Sequence, residues 1–249
     1  MYRRHLWDSS YTDDDVAGSP NTTNVIEEVA RECRRQGIDL GLYYSLWDRK
    51  QNPDVKDASL DNDYNEYMLA QIGELVEIVQ RHTKIVEFWL DGGWEKPNHR
   101  WPIAELYGMI KTMAPQCQVG VNWSIGSPGN PYKHGVRSQD QKEGYPIRYF
   151  PSDFRLGDPY LPTYPDPKLF THNGETYYMP WESTVCISGK WFYHTDDTSY
   201  KSVDELAELY RIATAQDNIL ILNTPPDRDG KLRERDIKLL TELSEKLGI

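Results

Sequence analysis

The stretch that decides the fold is KIVEFWLDGGWE, residues 84–95. Ile85, Val86, Phe88 and Leu90 form a short apolar run of strand length that stops at Asp91 and two glycines. Alternation along such a strand puts Glu87, Trp89 and Asp91 on one face. The run is flanked by helix-like patterns, DYNEYMLAQIGELVEIVQRH (63–82) before it and WPIAELYGMIKTMAP (101–115) after it, and a second apolar run, QVGVNWS (118–124), follows. Strands alternating with helices predict a parallel sheet covered by helices.

Toward the N-terminus, NVIEEVARECRRQ (24–36) spaces Val25, Ile26, Val29 and Cys33 for an amphipathic helix, with Thr22 or Thr23 as the expected N-cap and Gly37 as the stop. The aromatic run IDLGLYYSLW (38–47) then reads as a strand. Toward the C-terminus, a Gly-, Pro- and Tyr-rich stretch over roughly 125–176 breaks the alternation. Its aromatics, among them Tyr149, Phe150, Phe154 and Tyr160, give it material to pack, so it reads as an inserted active-site loop. ETYYMPWES (175–183) resumes as a strand, and SVDELAELYRIATAQ, NILILN and RERDIKLLTELSEKL supply a helix, a strand and a helix. Five buried strands are expected within one domain spanning 1–249, either as an open doubly wound sheet or as a barrel entered partway.

The 249 residues are long enough for such a domain. A formal net charge of −11 excludes a phosphate-backbone partner, which would demand clustered Lys and Arg. No stretch has the roughly 20 apolar residues of a membrane span. Three cysteines, Cys33, Cys117 and Cys186, without CxxC spacing indicate neither a disulfide framework nor a zinc site and read as buried thiols. Eight Trp and seventeen Tyr supply the flat rings that sugar sites use.

In a barrel the chemistry sits at the carboxyl ends of strands. The strand ends expected here carry Tyr43, Asp91, Asn122-Trp123-Ser124, Trp181-Glu182 and Asn223. Asp91 before Gly92-Gly93 reads either as a turn residue or as a carboxylate open to a ligand. Together, Asp91 and Glu182 supply the pair that glycoside hydrolysis requires, one nucleophile and one proton donor. Asp153, Asp158 and Asp166 in the long stretch are turn formers, or one of them is the proton donor if that stretch folds over the site. The histidines lack metal-ligand spacing, and no base accompanies Ser124 or Ser183.

Taken in order, LWDSSYTD (6–13), CRRQGIDLGLYYSLWD (33–48), EFWLDGGW (87–94), MPWES with WFYH (179–194) and DNILILNTPPDRDGKLRE (217–234) resemble glycoside hydrolase family twenty-nine, the retaining α-L-fucosidases. The resemblance implies an α/β fold, a (β/α)8 TIM-like barrel that is incomplete because its N-terminal strands are missing. It implies Asp91 as the nucleophile that forms a covalent fucosyl-enzyme and Glu182 as the acid/base. Trp7, Tyr43, Trp89, Asn122 and Trp191 are implied as the residues lining the fucose pocket, with no metal and no organic cofactor. The partner implied is a fucosylated glycan or oligosaccharide, in a secreted, periplasmic or lysosomal setting, and a homo-oligomer would cover the open sheet edges.

Two departures from the family pattern matter. Ser124 stands where members carry an Arg two residues after the Asn, leaving Arg137 or Arg155 as substitutes. The histidine segment that precedes the LW motif in members is represented only by Arg3, Arg4 and His5. Beside hydrolysis of terminal α-L-fucose, the readings are a catalytically impaired carbohydrate-binding barrel remnant and a barrel hydrolase for another deoxy or galactose-like sugar.

Overall fold

A computed structural model describes residues 5–48, 60–158, 160–162 and 164–249. Helix α1 (Val25–Gln36) starts at Asn24, not at Thr22 or Thr23: the Asn24 side chain accepts from the Glu27 N–H. Gly37 ends it in the left-handed conformation (φ 69°), donating its N–H back to Arg34, as the sequence predicted. Strand β1 (Leu40–Ser45), helix α2 (Leu60–Gln80), strand β2 (Ile85–Asp91), helix α3 (Ile103–Met113) and strand β3 (Gln118–Val121) follow.

The stretch beyond residue 125 is not one loop. It holds a hairpin of β4 (Gly126–Ser127) and β5 (Asn130–Gly135), then the two-residue strand β6 (Phe154–Arg155), then a second hairpin of β7 (Leu169–His172) and β8 (Glu175–Tyr178). The expected strand at 175–183 divides between β8 and β9 (Glu182–Cys186). Helix α4 (Val203–Thr214), strand β10 (Ile219–Asn223) and helix α5 (Glu234–Leu247) complete the order. Ser202 and Glu205 close a capping box on α4.

β1, β2, β3 and β6 pair in parallel in that order, and β9 pairs in parallel with β10. A parallel bridge between Arg155 and Trp181 joins the two groups. Six parallel strands, each beside the next in sequence, thus form a continuous arc with helices outside it. The strand beyond the five expected, β6, escapes a reading based on apolar runs because it is two residues long, held by Gly120. A Cβ on Gly120 would lie 2.3 Å from the Phe154 ring, so only glycine lets β6 approach β3 this closely.

One apolar core fills the space between β1, β2, β3 and helices α2 and α3, with Phe88, Leu90, Ile72 and Ile110 wholly buried. A second lies between β9, β10, α4 and α5, around Ile187 and Leu206. Of the three cysteines only Cys117 is buried; Cys33 and Cys186 are half-buried, because one lies on a surface helix and the other at a strand's open end. Among the described residues no helix is long and apolar enough to cross a membrane.

Candidate active site

Asp91 is the last residue of β2, and both its carboxylate oxygens are engaged. Tyr43, opposite Trp89 on β1, donates its phenol hydrogen to Oδ2 at 2.7 Å. Asn122, one residue beyond β3, donates from Nδ2 to Oδ1 at 3.0 Å. Three adjacent parallel strands therefore contribute one side chain each, Tyr43 from the carboxyl half of β1, Asp91 from the end of β2 and Asn122 from just past β3. The rings of Tyr43 and Trp89 stack 5.4 Å apart at 26°, which fixes the phenol over the carboxylate.

Asn122 has a second function. Its Oδ1 accepts from the backbone N–H of Trp123 at 2.9 Å and from that of Asp158 at 3.0 Å. Trp123 adopts φ 61°, unusual for a bulky residue, and this bend turns its indole against Trp94 and Tyr160. These three rings make an aromatic rim beside Asp91.

Asp158 lies three residues past β6. Its Oδ1 is buried without a hydrogen-bond partner among the described residues. Burial pushes the carboxyl up to about 7, and the negative charge of Asp91 adds to the rise. A carboxyl that keeps its proton near neutrality beside an ionisable carboxylate is the arrangement that divides acid from nucleophile. Only the fold-back of the 125–176 stretch brings Asp158 here; its sole signal in the sequence is an acidic residue within that stretch.

Glu182 is not at a strand's carboxyl end. It opens β9, opposite Ile219 at the start of β10, while Cys186 and Asn223 stand at the carboxyl ends. It is 1% exposed, among the described residues neither of its oxygens meets a donor at hydrogen-bonding geometry, and its close neighbours are the Glu87 carboxyl and the Trp89 indole. Burial, with the facing Glu87, pushes Glu182 up to about 9, and burial raises Glu87 as well. Glu87 precedes Asp91 by four residues, about 13 Å along a strand. The pair is thus a buried carboxyl, Glu182, against a half-buried one, Glu87, and the sequence misplaced Glu182 because Pro180-Trp181 delays the strand it opens.

Trp7 is not brought to Asp91 either. It is 6% exposed, packed in the first core, and its indole donates to Glu74 of α2 at 2.6 Å. Trp191 lies past β9, more than a third exposed, its carbonyl accepting from Asn223 at 3.1 Å. Of the two arginines considered in place of Ser124, Arg155 is wholly buried and bound to Asp166, Gln141 and two carbonyls. Arg137 instead lies over the Tyr160 ring, 5.0 Å from its centre, at the aromatic rim. Ser124 itself ties β3 to Leu156 through its hydroxyl.

Residues 4–249 match the family model described as alpha-L-fucosidase. The chain is 28% identical to Alpha-L-fucosidase 1 of Arabidopsis thaliana over 250 residues, covering 96% of this chain and 45% of that protein. It is also 28% identical to Putative alpha-L-fucosidase 1 of Oryza sativa subsp. japonica, with 96% and 44% covered. The chain therefore spans a little under half the length of these relatives. In structure it resembles an alpha-L-fucosidase from Bacteroides thetaiotaomicron with a TM-score of 0.72, 21% identity, and coverage of 99% of this chain and 54% of that one. The likeness makes the six-stranded arc part of a (β/α)8 barrel, and the match across almost the whole sequence means that this chain belongs to the alpha-L-fucosidase family.

Proposed function

We propose that this protein is a retaining α-L-fucosidase that removes terminal α-L-fucose from glycans by double displacement. The observation that supports it best is the carboxylate of Asp91, held from both sides by Tyr43 and Asn122 at the mouth of the arc. With both oxygens oriented, one can attack the anomeric carbon of a bound fucose while the leaving oxygen takes a proton. The bond to the aglycone breaks, a covalent fucosyl-aspartate forms, and water delivered by the same acid, now a base, releases fucose.

Asp158 is the proton donor in this reading. It shares Asn122 with Asp91, retains a proton near neutrality, and regains acidity as Asp91 loses its charge on glycosylation. Trp89, Tyr43, Asn122 and Trp191 are assigned to the sugar pocket, with Trp94, Trp123 and Tyr160 as the rim. Glu182, beneath Trp89 and beside Glu87, is assigned to holding that tryptophan in place rather than to proton transfer.

Hydrolysis of an aryl α-L-fucoside tests the reading. Turnover by the wild-type chain, its loss in Asp91→Gly, and trapping of a covalent adduct on Asp91 with a fluorinated fucoside are expected. Fucose binding without turnover would instead favour a carbohydrate-binding barrel.

A further inference from the structure

A cleft of about 590 Å³ opens between the segment that follows β2 and the stretch that follows β3. Gly93, two residues beyond Asp91 in sequence and next to Trp94 of the rim, forms part of its wall. Its volume suits one or two sugar rings. Trp101, Tyr132 and Phe150 supply aromatic surface, and Tyr132 is 63% exposed.

The electrostatics of this wall oppose those of the chain. Against a net charge of −11, the charged side chains lining the cleft among the described residues are Lys96, Arg100 and Arg148 and the carboxylate Glu105. Arg148 is the informative residue. It is 5% exposed, its backbone N–H is fixed to the Ser124 carbonyl at 2.7 Å, and its guanidinium lies over the Tyr149 ring at 4.7 Å. Nε donates to the Tyr132 carbonyl at 3.3 Å, but among the described residues its terminal nitrogens donate to no acceptor and no carboxylate pairs with it.

Arg155 shows what the same fold does with a buried guanidinium that only holds structure. That residue meets Asp166 at 2.8 Å, with neither side chain exposed, and donates as well to Gln141 and two backbone carbonyls. A buried cation without a counter-charge costs stability unless a ligand supplies the anion. A planar fork of donors facing a cavity suits a carboxylate or a sulfate, which accept two parallel hydrogen bonds.

We propose that this cleft is a second carbohydrate subsite, selective for a sugar that carries a sulfate or carboxylate group, with Arg148 as the partner of the anion and the aromatic walls as the platform for the ring. The proposal rests on the glycosidase reading only for the expectation that the ligand is a sugar. Binding is measured without turnover, so the two can fail separately.

The test is titration calorimetry of the chain with a sulfated N-acetylglucosamine, glucuronic acid, neutral N-acetylglucosamine and inorganic sulfate, at low and high salt. At least one anionic sugar is expected to bind about tenfold or more tighter than the neutral one, since a charged hydrogen bond is worth that factor. The tighter of the two names the anion, and added salt is expected to shrink the preference. Arg148→Met is expected to abolish the preference, so that the anionic and neutral sugars bind the variant equally. Arg148→Lys, which keeps the charge but loses the fork, is expected to retain a reduced preference and serves if the Met variant folds poorly. Equal affinity for neutral and anionic sugars, or a preference that survives undiminished in whichever variant folds, would overturn the proposal. Inorganic sulfate binding as tightly as the sulfated sugar would overturn its carbohydrate half.

Discussion

The phenol of Tyr43 and the amide of Asn122 grip opposite oxygens of Asp91, at 2.7 and 3.0 Å. Removing the phenol hydroxyl leaves the ring stack on Trp89 intact but withdraws one hydrogen bond to a charged group, worth about 1.5–3 kcal/mol. Tyr43→Phe is therefore expected to lower kcat/KM for an aryl fucoside about ten- to hundredfold with little change in thermal stability. An unchanged rate would mean that the phenol does not orient the nucleophile.

Asp158 predicts the alkaline limb of the pH profile. As the proposed acid it would work protonated, so activity is expected to fall as pH rises through about 7. In Asp158→Asn that limb disappears, and cleavage of poor leaving groups drops by about 10²–10⁴, while substrates with acidic phenols as leaving groups lose much less. A retained limb would assign proton transfer to another residue.

The couple of Glu87 and Glu182 links stability to pH. Both are raised in the folded chain, so the fold binds more protons than the unfolded chain between the ordinary value of 4.5 and about 9 for Glu182. Their contribution is fully present below 4.5 and is lost as pH climbs through that window. Glu182→Gln is expected to raise Tm at the alkaline end and to flatten the decline, measured by thermal melting across the range.

Gly120 controls the position of β6, and through it Asp158. A Cβ there would meet the Phe154 ring at 2.3 Å, so Gly120→Ala is expected to cost about 1–3 kcal/mol in denaturant unfolding. Gly108, in α3, has nothing within 4 Å of the place an alanine methyl would take. Gly108→Ala is the control, expected to stabilise by about 0.5–1 kcal/mol because alanine favours a helix interior.

Periodicity alone determined the alternation of α1 to α3 with β1 to β3, the stop at Gly37, and Asp91 as the end of an apolar strand on the face it shares with Trp89 and Glu87. These follow from spacing within a dozen residues, where burial on one face selects the pattern. The family resemblance added the barrel and the expectation of a fucoside. What only the tertiary structure decided depends on segments distant in sequence meeting in space. β6 is two residues long and exists because Gly120 admits the Phe154 ring. Asp158 reaches the site through Asn122, 36 residues earlier. Glu182 sinks beside Glu87, and Trp7 turns to Glu74. Arg155 and Arg148 are alike in sequence, but one finds a carboxylate and the other a cleft. Which carboxyl keeps its proton and which guanidinium meets a carboxylate are set by burial and by neighbouring charge, and both arise only when the chain closes on itself.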